Sequence, residues 1–396
     1  MTDTFLEQPS EWFITQLNRK LSTPIRLLYI DGEDHSSKVR KWPTIRRDIA
    51  VIKPVNVNIE LVNTSGEYND FWTTPYSMNV TCSLYLAFAH ENGDREILPI
   101  YTGDIKKVSY KDQVCVLYIK DKYFDLSTRK IGSYEDQVSF SQQIPSDIVW
   151  TLCTCYGGLS DVASTSNPDI EYSQFLKWSE TFSIDQFTIV AYSKGKKIFE
   201  MIHEIMDITD SYNYVDHNGR IVFDRLDEVS SFDFIIDDLQ WIRLQVDIDA
   251  EGLINKQYVN WDYNPTSETW AHQIHHANSS SIDNFGLREN VLESENAWVV
   301  SSTDALNISF RRINRYSEPV KNFTIELPLT GMTRFLGETV RLVNSFYNVT
   351  SANPWRISEQ VIDLSTLKTN ISIKQSVTFD RFYLDVSLLD GNDRLL

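Results

Sequence analysis

The stretch VNVNIELV, residues 55–62, decides the fold class of this chain. Apolar residues occupy all of its odd positions, and Asn or Glu occupies three of its four even ones, which is the period of a half-buried strand. The stretch VTCSLYLAF, residues 80–88, repeats this alternation, and residues 105–120 predict a hairpin that turns at Lys111-Asp112. Because no long helix separates these strands, we predict an antiparallel barrel or sandwich up to about residue 130.

The first residues of the chain follow a different period. Phe13, Leu17 and Leu21 recur at the spacing of one helical face, and Ser10 is a suitable N-cap just before them. We therefore predict a short amphipathic helix ahead of the strands, ending before Pro24.

The middle of the chain combines helices with one hairpin. Pro145 suits the first turn of a helix that Gly157-Gly158 ends, and further helices are predicted near Asp169 and after Gly195. The inner face of the helix near Asp169 is predicted to carry Tyr172, Phe175, Leu176 and Ser179. Asn218-Gly219 lies between two β-rich runs and is a strong hairpin signal. These features predict an α+β module.

Strands return towards the end of the chain. Residues 277–283 (ANSSSID) predict a loop and residues 305–315 a helix, whereas residues 323–327, 340–342 and 382–386 predict strands. The predicted fold class is α+β and β-rich, with a small β-barrel-like unit at each end and a mixed α/β middle. The predicted domains are an N-terminal β-barrel-like domain (1–140), an α+β middle domain (141–230), a mixed strand and loop segment (231–300) and a C-terminal β-barrel-like domain (301–396).

Charge and hydropathy exclude several classes of protein. Lys and Arg number 37 against 55 Asp and Glu, so the net charge is −18, and a field of this sign repels phosphate. A sequence-reading nucleic-acid binder is therefore excluded. No apolar run reaches the ~18 to 20 residues of a membrane span. The acidic start lacks the basic and apolar regions of a signal peptide, so we expect synthesis in a cytosol and disregard the glycosylation sequons at Asn79 and Asn322.

A histidine cluster is the first candidate for chemistry. His272, His275 and His276 form an H-x-x-H-H run, and on a helix this spacing would place two imidazoles on one face, as in some zinc sites. The run lacks the glutamate of the H-E-x-x-H motif and lies beside a Ser-rich loop. We therefore interpret it as a solvated surface cluster flanked by aromatic residues, and predict that it holds no metal.

Acidic residues and cysteines are the other candidates. Asp233, Asp237 and Asp238 could supply the carboxylate pair of a glycosidase, but a chain this acidic produces such clusters by abundance. Cys153 and Cys155 form a C-x-C pair with no second pair at metal spacing, so we interpret them as thiols without a redox or metal role.

Motifs for nucleophilic catalysis and nucleotide binding are absent from the sequence. It contains no G-x-S-x-G, no P-loop and no G-x-G-x-x-G, and the basic run Ser193–Lys197 predicts a solvated turn before a helix. We therefore predict no catalytic residue, no cofactor and no metal. The absence of these motifs favours a structural or binding role over an enzymatic one.

Several segments, taken in order, resemble the tail hub (baseplate hub) proteins of long-tailed bacteriophages and related injection machines. The segments are Arg40-Lys41-Trp42-Pro43 with 54–61, Tyr101-Thr102-Gly103-Asp104-Ile105 with Lys120-Asp121-Lys122, 144–158 leading into 167–170, 219–225, and 327–331 with 336–341. In the last segment Glu338 replaces the more usual acid of the family. The order of the segments, which spans most of the chain, carries the resemblance.

The resemblance implies a structural virion protein made in the host cytoplasm and located at the tail tip or baseplate. In this family three copies form a homotrimer, and two barrel-like domains per chain produce a ring of pseudo-six-fold symmetry. Such a ring docks under the hexameric tail tube or distal tail protein, carries the spike, fibre or tip protein below, and lets DNA pass during genome ejection without specific binding. The chain carries no segment that resembles a fused lysozyme or peptidase, so no enzymatic activity is expected.

A carbohydrate-binding or carbohydrate-degrading tail component is the alternative. Aromatic residues stack on sugars and carboxylates hydrolyse them, and this chain has many of both. Its tryptophans at positions 150, 178, 241 and 261 lie in apolar patterns, however, and these patterns favour places in the core.

Overall fold

A computed structural model describes residues 3–19, 23–49, 53–73, 80–132, 137–226, 233–237, 241–264, 266–294, 297–344, 346–347, 349 and 354–375. Of these described residues 44% lie in strands and 25% in helices, which confirms the β-rich α+β class predicted from the sequence. Every helix in the described ranges is too short or too polar to reach across a lipid bilayer.

The strands and helices alternate irregularly along the chain. The strands are β1 (Asp3–Phe5), β2 (Ile25–Ile30), β3 (Glu33–Asp34), β4 (Val39–Lys41), β5 (Thr44–Asp48), β6 (Asn56–Val62), β7 (Thr81–Ala89), β8 (Arg95–Lys111), β9 (Val114–Lys120), β10 (Val138–Gln143), β11 (Ile189–Ser193), β12 (Ser211–Val215), β13 (Ile221–Arg225), β14 (Phe234–Ile236), β15 (Arg243–Asp249), β16 (Lys256–Asn264), β17 (Thr269–Ala277), β18 (Glu289–Leu292), β19 (Ala297–Val299), β20 (Val320–Leu327), β21 (Thr339–Leu342), β22 (Pro354–Asp363) and β23 (Lys368–Gln375). The α-helices are α1 (Glu11–Asn18), α2 (Asp70–Thr73), α3 (Tyr123–Thr128), α4 (Pro145–Thr151), α5 (Tyr172–Asp185), α6 (Ile198–Ile208), α7 (Ser279–Phe285) and α8 (Ser302–Tyr316).

The first large sheet is a curled half-barrel. Its strand order is β3-β2-β7-β8-β9-β6-β4, with β1 added in parallel beside β8. The two edge strands β3 and β4 are consecutive in the chain, so Asp34 and Val39 lie at most ~17 Å apart and the sheet has to curl. Ile59, Leu84 and Ile119 are among the residues that fill its interior, together with Phe13 of α1.

The second large sheet repeats this arrangement. Its order is β14-β21-β22-β23-β20-β15, and its edge strands β14 and β15 are again consecutive in the chain. Its core contains Phe323, Ile357 and Ile373. The two curled half-barrel sheets confirm the predicted pair of β-barrel-like units.

Strand β5 joins the two half-barrels. It lies between β4 and β6 of the first sheet along the chain, yet it pairs antiparallel with β22 of the second sheet, with Ile45 opposite Ile362. Both isoleucines belong to the apolar core of the first half-barrel. The two sheets therefore share part of one core.

A mixed α/β unit packs around a third core. Helices α4, α5 and α6 surround the hairpin β12–β13 and the small sheet β10-β11-β19. Residues Val259, Leu292 and Ile308 of the later chain belong to the same core, since α8 packs on the sheet β17-β16-β18. Helix α4 continues into one π-helical segment, Leu152–Tyr156.

Many local predictions agree with the structure. Ser10 caps α1, because its Oγ accepts a hydrogen bond from the backbone N–H of Phe13 at 3.0 Å. Pro145 begins α4, and the hairpin β12–β13 turns at Asn218-Gly219. The hairpin predicted at Lys111-Asp112 joins β8 to β9. Leu21 and the strand predicted at 382–386 lie outside the described residues.

Two local predictions were wrong. Residues 277–283 were predicted as a loop, but the side chain of Asn278 caps α7 by accepting a hydrogen bond from the N–H of Ser281. Leu176 was predicted to face inwards but is 42% exposed, because α5 buries Phe175, Trp178 and Phe182 instead. The first error arose because the cap formed by Asn278 starts a helix in a polar stretch. The second arose because the buried face of α5 is shifted by about one residue from the predicted face.

The predicted domain boundaries at 140, 230 and 300 stay predictions. The sheets nevertheless connect segments across them. Strands β14 and β15 come from the segment 231–300 and belong to the second half-barrel. Helix α8 comes from the segment 301–396 and packs with the middle unit.

We expect Ile45→Ala to lower the free energy of unfolding by about 2 to 5 kcal/mol, because it would leave a cavity in the core shared by both half-barrels. Ile248→Ala is the matched control, since Ile248 is 67% exposed on β15 and should change stability by less than about 0.5 kcal/mol. Chemical denaturation measures both, and equal effects would contradict the shared core.

Candidate functional site

The chain passes from the first half-barrel to the second at Trp42-Pro43. The carbonyl of Pro43 accepts a hydrogen bond from the N–H of Leu364 at 3.1 Å, and the carbonyl of Trp42 accepts one from Ser365 Oγ at 2.9 Å. The guanidinium of Arg26 lies over the indole of Trp42, 5.2 Å from the ring centroid, and donates to the carbonyl of Leu364 at 2.9 Å. Three hydrogen bonds and one cation–π contact therefore hold this crossing against the loop after β22. We call the region from here to Asp48 and its partners the barrel junction.

Arg47 is the central residue of the barrel junction. Its guanidinium donates to the carbonyl of Ile100 in the first sheet at 2.7 Å and to Gln360 Oε1 in the second at 3.2 Å. Gln360 in turn donates to the carbonyl of Arg334 at 2.6 Å. Arg47 is only 4% exposed, and burial lowers its pKa to about 10, so it remains charged at neutral pH. One buried cation thus bridges both half-barrels.

Asp121 is the buried acid of the barrel junction. It is 1% exposed, and its carboxylate accepts hydrogen bonds from the N–H of Val55 at 2.9 Å and of Tyr123 at 3.2 Å. Burial raises its pKa to about 7, although these hydrogen bonds and the charge of Arg47 act in the opposite direction. Asp121 therefore ties the start of β6 to the start of α3 and titrates near neutrality.

A cavity of about 390 Å³ with both polar and apolar walls opens between these groups. Arg47, Asp121 and Asn213 line it together with apolar walls such as Val55. Asn213 is 2% exposed and donates to the hydroxyl of Tyr123, while its Oδ1 has no partner among the described residues. A cavity with this volume and polarity can hold several water molecules that satisfy such groups.

His217 lies at the tip of the hairpin β12–β13, close to this cavity. Its ring stacks on Phe335 with centroids 4.4 Å apart. Burial, aided by the charge of Arg47, holds its pKa well below the ordinary value, so the imidazole is neutral at physiological pH. The hairpin is thereby anchored to the second half-barrel by an uncharged ring.

An acidic groove runs between this hairpin, α5 and the second half-barrel. Its acidic lining residues are Glu7, Glu171, Asp216, Asp224, Asp233 and Glu338, and its basic ones are Lys177, Arg220 and Arg356. Six acids against three bases leave a net charge of −3 if all are ionised. Arg220 pairs with Glu171 at 2.6 Å and with Asp216 at 3.1 Å, and Arg356 donates to the carbonyl of Gly337, the neighbour of Glu338, at 3.2 Å.

Glu338 is the most perturbed acid of the groove. Burial raises its pKa to about 7, although Arg334, with Nη1 4.0 Å from Glu338 Oε2, acts in the opposite direction. Asp233 adds to the rise. Glu338 Oε2 makes no hydrogen bond among the described residues, so a cation placed in the groove would stabilise its ionised form.

The histidine cluster lies on strand β17 instead of a helix. His272 stacks on Trp261 at 4.4 Å, His275 packs near Tyr258 at 5.2 Å, and His276 packs against Phe310. On a strand, His275 points to the opposite face from His272 and His276, which are themselves ~13 Å apart along the chain. This geometry separates the three imidazoles.

The other sequence candidates have structural partners. The carboxylate of Asp233 accepts hydrogen bonds from the N–H of Thr339 at 2.6 Å and from its hydroxyl at 2.8 Å, which fixes β14 beside β21. Asp237 directly follows the last residue of β14, and Asp238 lies outside the described residues. Cys153 is buried, which raises its thiol pKa, and Cys155 is exposed. In the described ranges no three His, Cys, Asp or Glu side chains lie close enough to hold a metal ion.

Most residues of the barrel junction carry no sequence motif. Asp121 was part of a segment noted only for its resemblance, and Arg47, Asn213 and Gln360 carried no motif. Each of the last three is a polar residue at a buried position of a strand. The available sequence signal was a polar residue at a strand position where the alternation calls for an apolar, inward-facing residue.

The buried acid predicts how stability changes with pH. The pKa of Asp121 is about 7 in the folded chain and about 3.8 when exposed, so folding favours its neutral form and stability falls as pH rises between these values. From pH 5.5 to pH 8 the loss is about 2 kcal/mol. Asp121→Asn should remove that part of the pH dependence, whereas the exposed control Glu7→Gln should keep it. Denaturation at both pH values measures the difference, and parallel profiles for Asp121→Asn and the native chain would contradict this assignment.

The similarity of this chain to known proteins lies in its fold. No protein-family model matches the chain, and no curated protein matches it in sequence. Solved structures do match. A 43 kDa tail protein of prophage MuSo2 from Shewanella oneidensis is 14% identical with a TM-score of 0.54, over 89% of this chain and 98% of that one.

Two further structures agree with the first. A tail protein from Neisseria meningitidis MC58 is 10% identical with a TM-score of 0.56, over 89% of this chain and 96% of that one. The prophage tail protein gp18 from Listeria monocytogenes EGD-e is 11% identical with a TM-score of 0.52, over 88% and 94%. The chain therefore has the fold of phage tail proteins, which confirms at the level of fold the resemblance seen in its sequence.

Proposed function

We propose that the chain is a structural hub of a phage tail or baseplate. Three copies form a ring that joins the hexameric tail tube or distal tail protein above to a spike, fibre or tip protein below. DNA passes through this ring during genome ejection without specific binding. The mature protein then lies at the tail tip of the virion, after synthesis in the host cytoplasm.

The pair of half-barrels in one chain is the observation that carries this proposal. Three copies supply six half-barrels, which is the number needed to match a hexameric tube. Arg47 and strand β5 hold the two half-barrels in one fixed relation. A fixed relation suits a symmetry adaptor, because both half-barrels must present their edges to the same ring.

The negative charge of the chain supports the proposal that DNA passes through the ring without binding to it. With a net charge of −18, the trimer would carry −54, and a lumen lined by carboxylates would not hold DNA phosphates. We propose that the acidic surplus is concentrated on the lumen wall. DNA would then slide along the lumen wall instead of binding to it.

The placement of the tryptophans favours this structural role over the carbohydrate alternative. Trp178 is buried and donates to Ser211 Oγ at 3.0 Å, and Trp150 and Trp261 pack against the same core. Trp241 packs against the core of the second half-barrel. We propose a non-enzymatic protein on this basis.

The oligomer is the first test of the proposal. We expect the purified chain, alone or with its tail neighbours, to form a trimer in sedimentation experiments, because half-barrels with open edges need partners. Electron microscopy should show a ring with three-fold symmetry and six similar peripheral units. A monomer that hydrolyses cell-surface glycans would contradict the proposal and support the carbohydrate alternative.

The charge of the channel is a separate test. A structure of the assembled ring should show a channel wide enough for duplex DNA with more Asp and Glu than Lys and Arg on its wall. Acidic walls would repel the phosphates and leave DNA free to move. A wall dominated by Lys and Arg would contradict the sliding argument even if the trimer were found.

A further inference from the structure

A basic patch stands out on this acidic chain. Arg129 and Lys130 follow α3, and Lys194, Lys196 and Lys197 precede α6. The backbone brings the two groups together: Lys130 and Lys197 form an antiparallel bridge, and the N–H of Ile198 donates to the carbonyl of Arg129 at 3.1 Å. We call these five residues the basic patch. Four of them are exposed, and Lys196 is half-buried.

The arrangement of the basic patch is unfavourable in the isolated chain. Lys130 and Lys197 lie directly opposite each other, and like charges in this relation destabilise a strand pair. The patch also surrounds the N-terminus of α6, where the helix dipole disfavours cations. Two acids lie beside the patch: Glu204, whose Oε1 is 3.7 Å from the Nζ of Lys196, and Glu200, which accepts a hydrogen bond from the N–H of Lys197 at 3.4 Å. An external anionic surface would offset this cost.

The acidic groove of a second copy is the surface that fits. The acids that line the groove outnumber its basic residues six to three, and Glu338 Oε2 makes no hydrogen bond among the described residues, with Arg334 Nη1 4.0 Å away. In a closed ring of identical subunits each contact joins two different surfaces of the chain. A patch and a groove of opposite charge on one chain meet this requirement, whereas a chain with a net charge of −18 repels DNA.

We infer that the basic patch of one copy docks into the acidic groove of the next and sets the order of subunits in the ring. This inference rests on the proposed trimer. It assigns the two surfaces that meet in each of the three contacts. Lysines entering the groove would neutralise its acids, and the patch would in turn lose its internal repulsion.

Charge reversal tests the pairing. Lys130→Glu with Lys194→Glu should weaken trimerisation by about tenfold or more, measured by sedimentation at several protein and salt concentrations. The same variant should raise the melting temperature of the monomer, because Lys130→Glu replaces the repulsion with Lys197 by an attraction. A variant that trimerises less but melts at a higher temperature has lost an interface, whereas a folding defect would lower the melting temperature as well.

The groove supplies the complementary variant. Glu7→Lys with Ser173→Lys removes one negative charge from the lining and adds two positive ones, a net change of +3, without breaking an ion pair of the described residues. It should weaken the trimer alone and restore part of the association when combined with the patch variant. The matched control is Lys107→Glu with Lys111→Glu, two exposed lysines of β8, which should leave the trimer unchanged.

Three outcomes would overturn the inference. A native trimer that the patch and groove variants leave intact would reject the pairing while the proposed function stands. A patch variant that trimerises normally but loses binding to a labelled DNA duplex would assign the patch to nucleic acid instead. A native chain that stays monomeric with and without its tail neighbours would overturn both proposals.

Discussion

The structure depends on one strand serving two sheets. Strand β5 leaves the first half-barrel at Trp42-Pro43, pairs with β22 of the second, and returns to the first at β6. Because Ile45 and Ile362 both lie in the core of the first half-barrel, that core is completed by a strand of the second sheet. The relation between the two sheets is therefore set by backbone pairing and by packing together. Such a connection resists hinge motion in a way that a flexible linker does not.

The polar groups at the barrel junction follow from this constraint. Where two curled sheets meet over a shared strand, their side chains cannot fill every space, and a cavity of about 390 Å³ remains. Arg47 and Asp121 occupy its wall, and both satisfy backbone groups of strands that the junction leaves open. Burying two charges contributes little net stability, but it fixes geometry, because a shifted register would leave a buried charge unpaired. The junction thus contributes precision of docking more than free energy.

The surface complements this rigid interior. The groove beside the second half-barrel is acidic, the patch beside α6 is basic, and in the proposed ring the edges of the half-barrels meet neighbouring subunits. The proposed role, holding neighbours in a fixed arrangement, requires a stiff body and several specific surfaces. The tail-protein fold, the shared strand and the distribution of charge are consistent with one such role.

The sequence alone determined the elements whose signals are local. Alternation in 55–62 specified β6, Ser10 specified the start of α1, and Asn218-Gly219 specified a hairpin, because capping and turn chemistry act over a few residues. The order of several short segments along the chain also indicated the tail-protein fold. Only the tertiary structure decided that β5 pairs with β22, that the three histidines lie on a strand, and that Arg47 meets Ile100 and Gln360. Strand partners far apart in the chain are selected by the packing of whole sheets, and no short stretch of sequence records that choice.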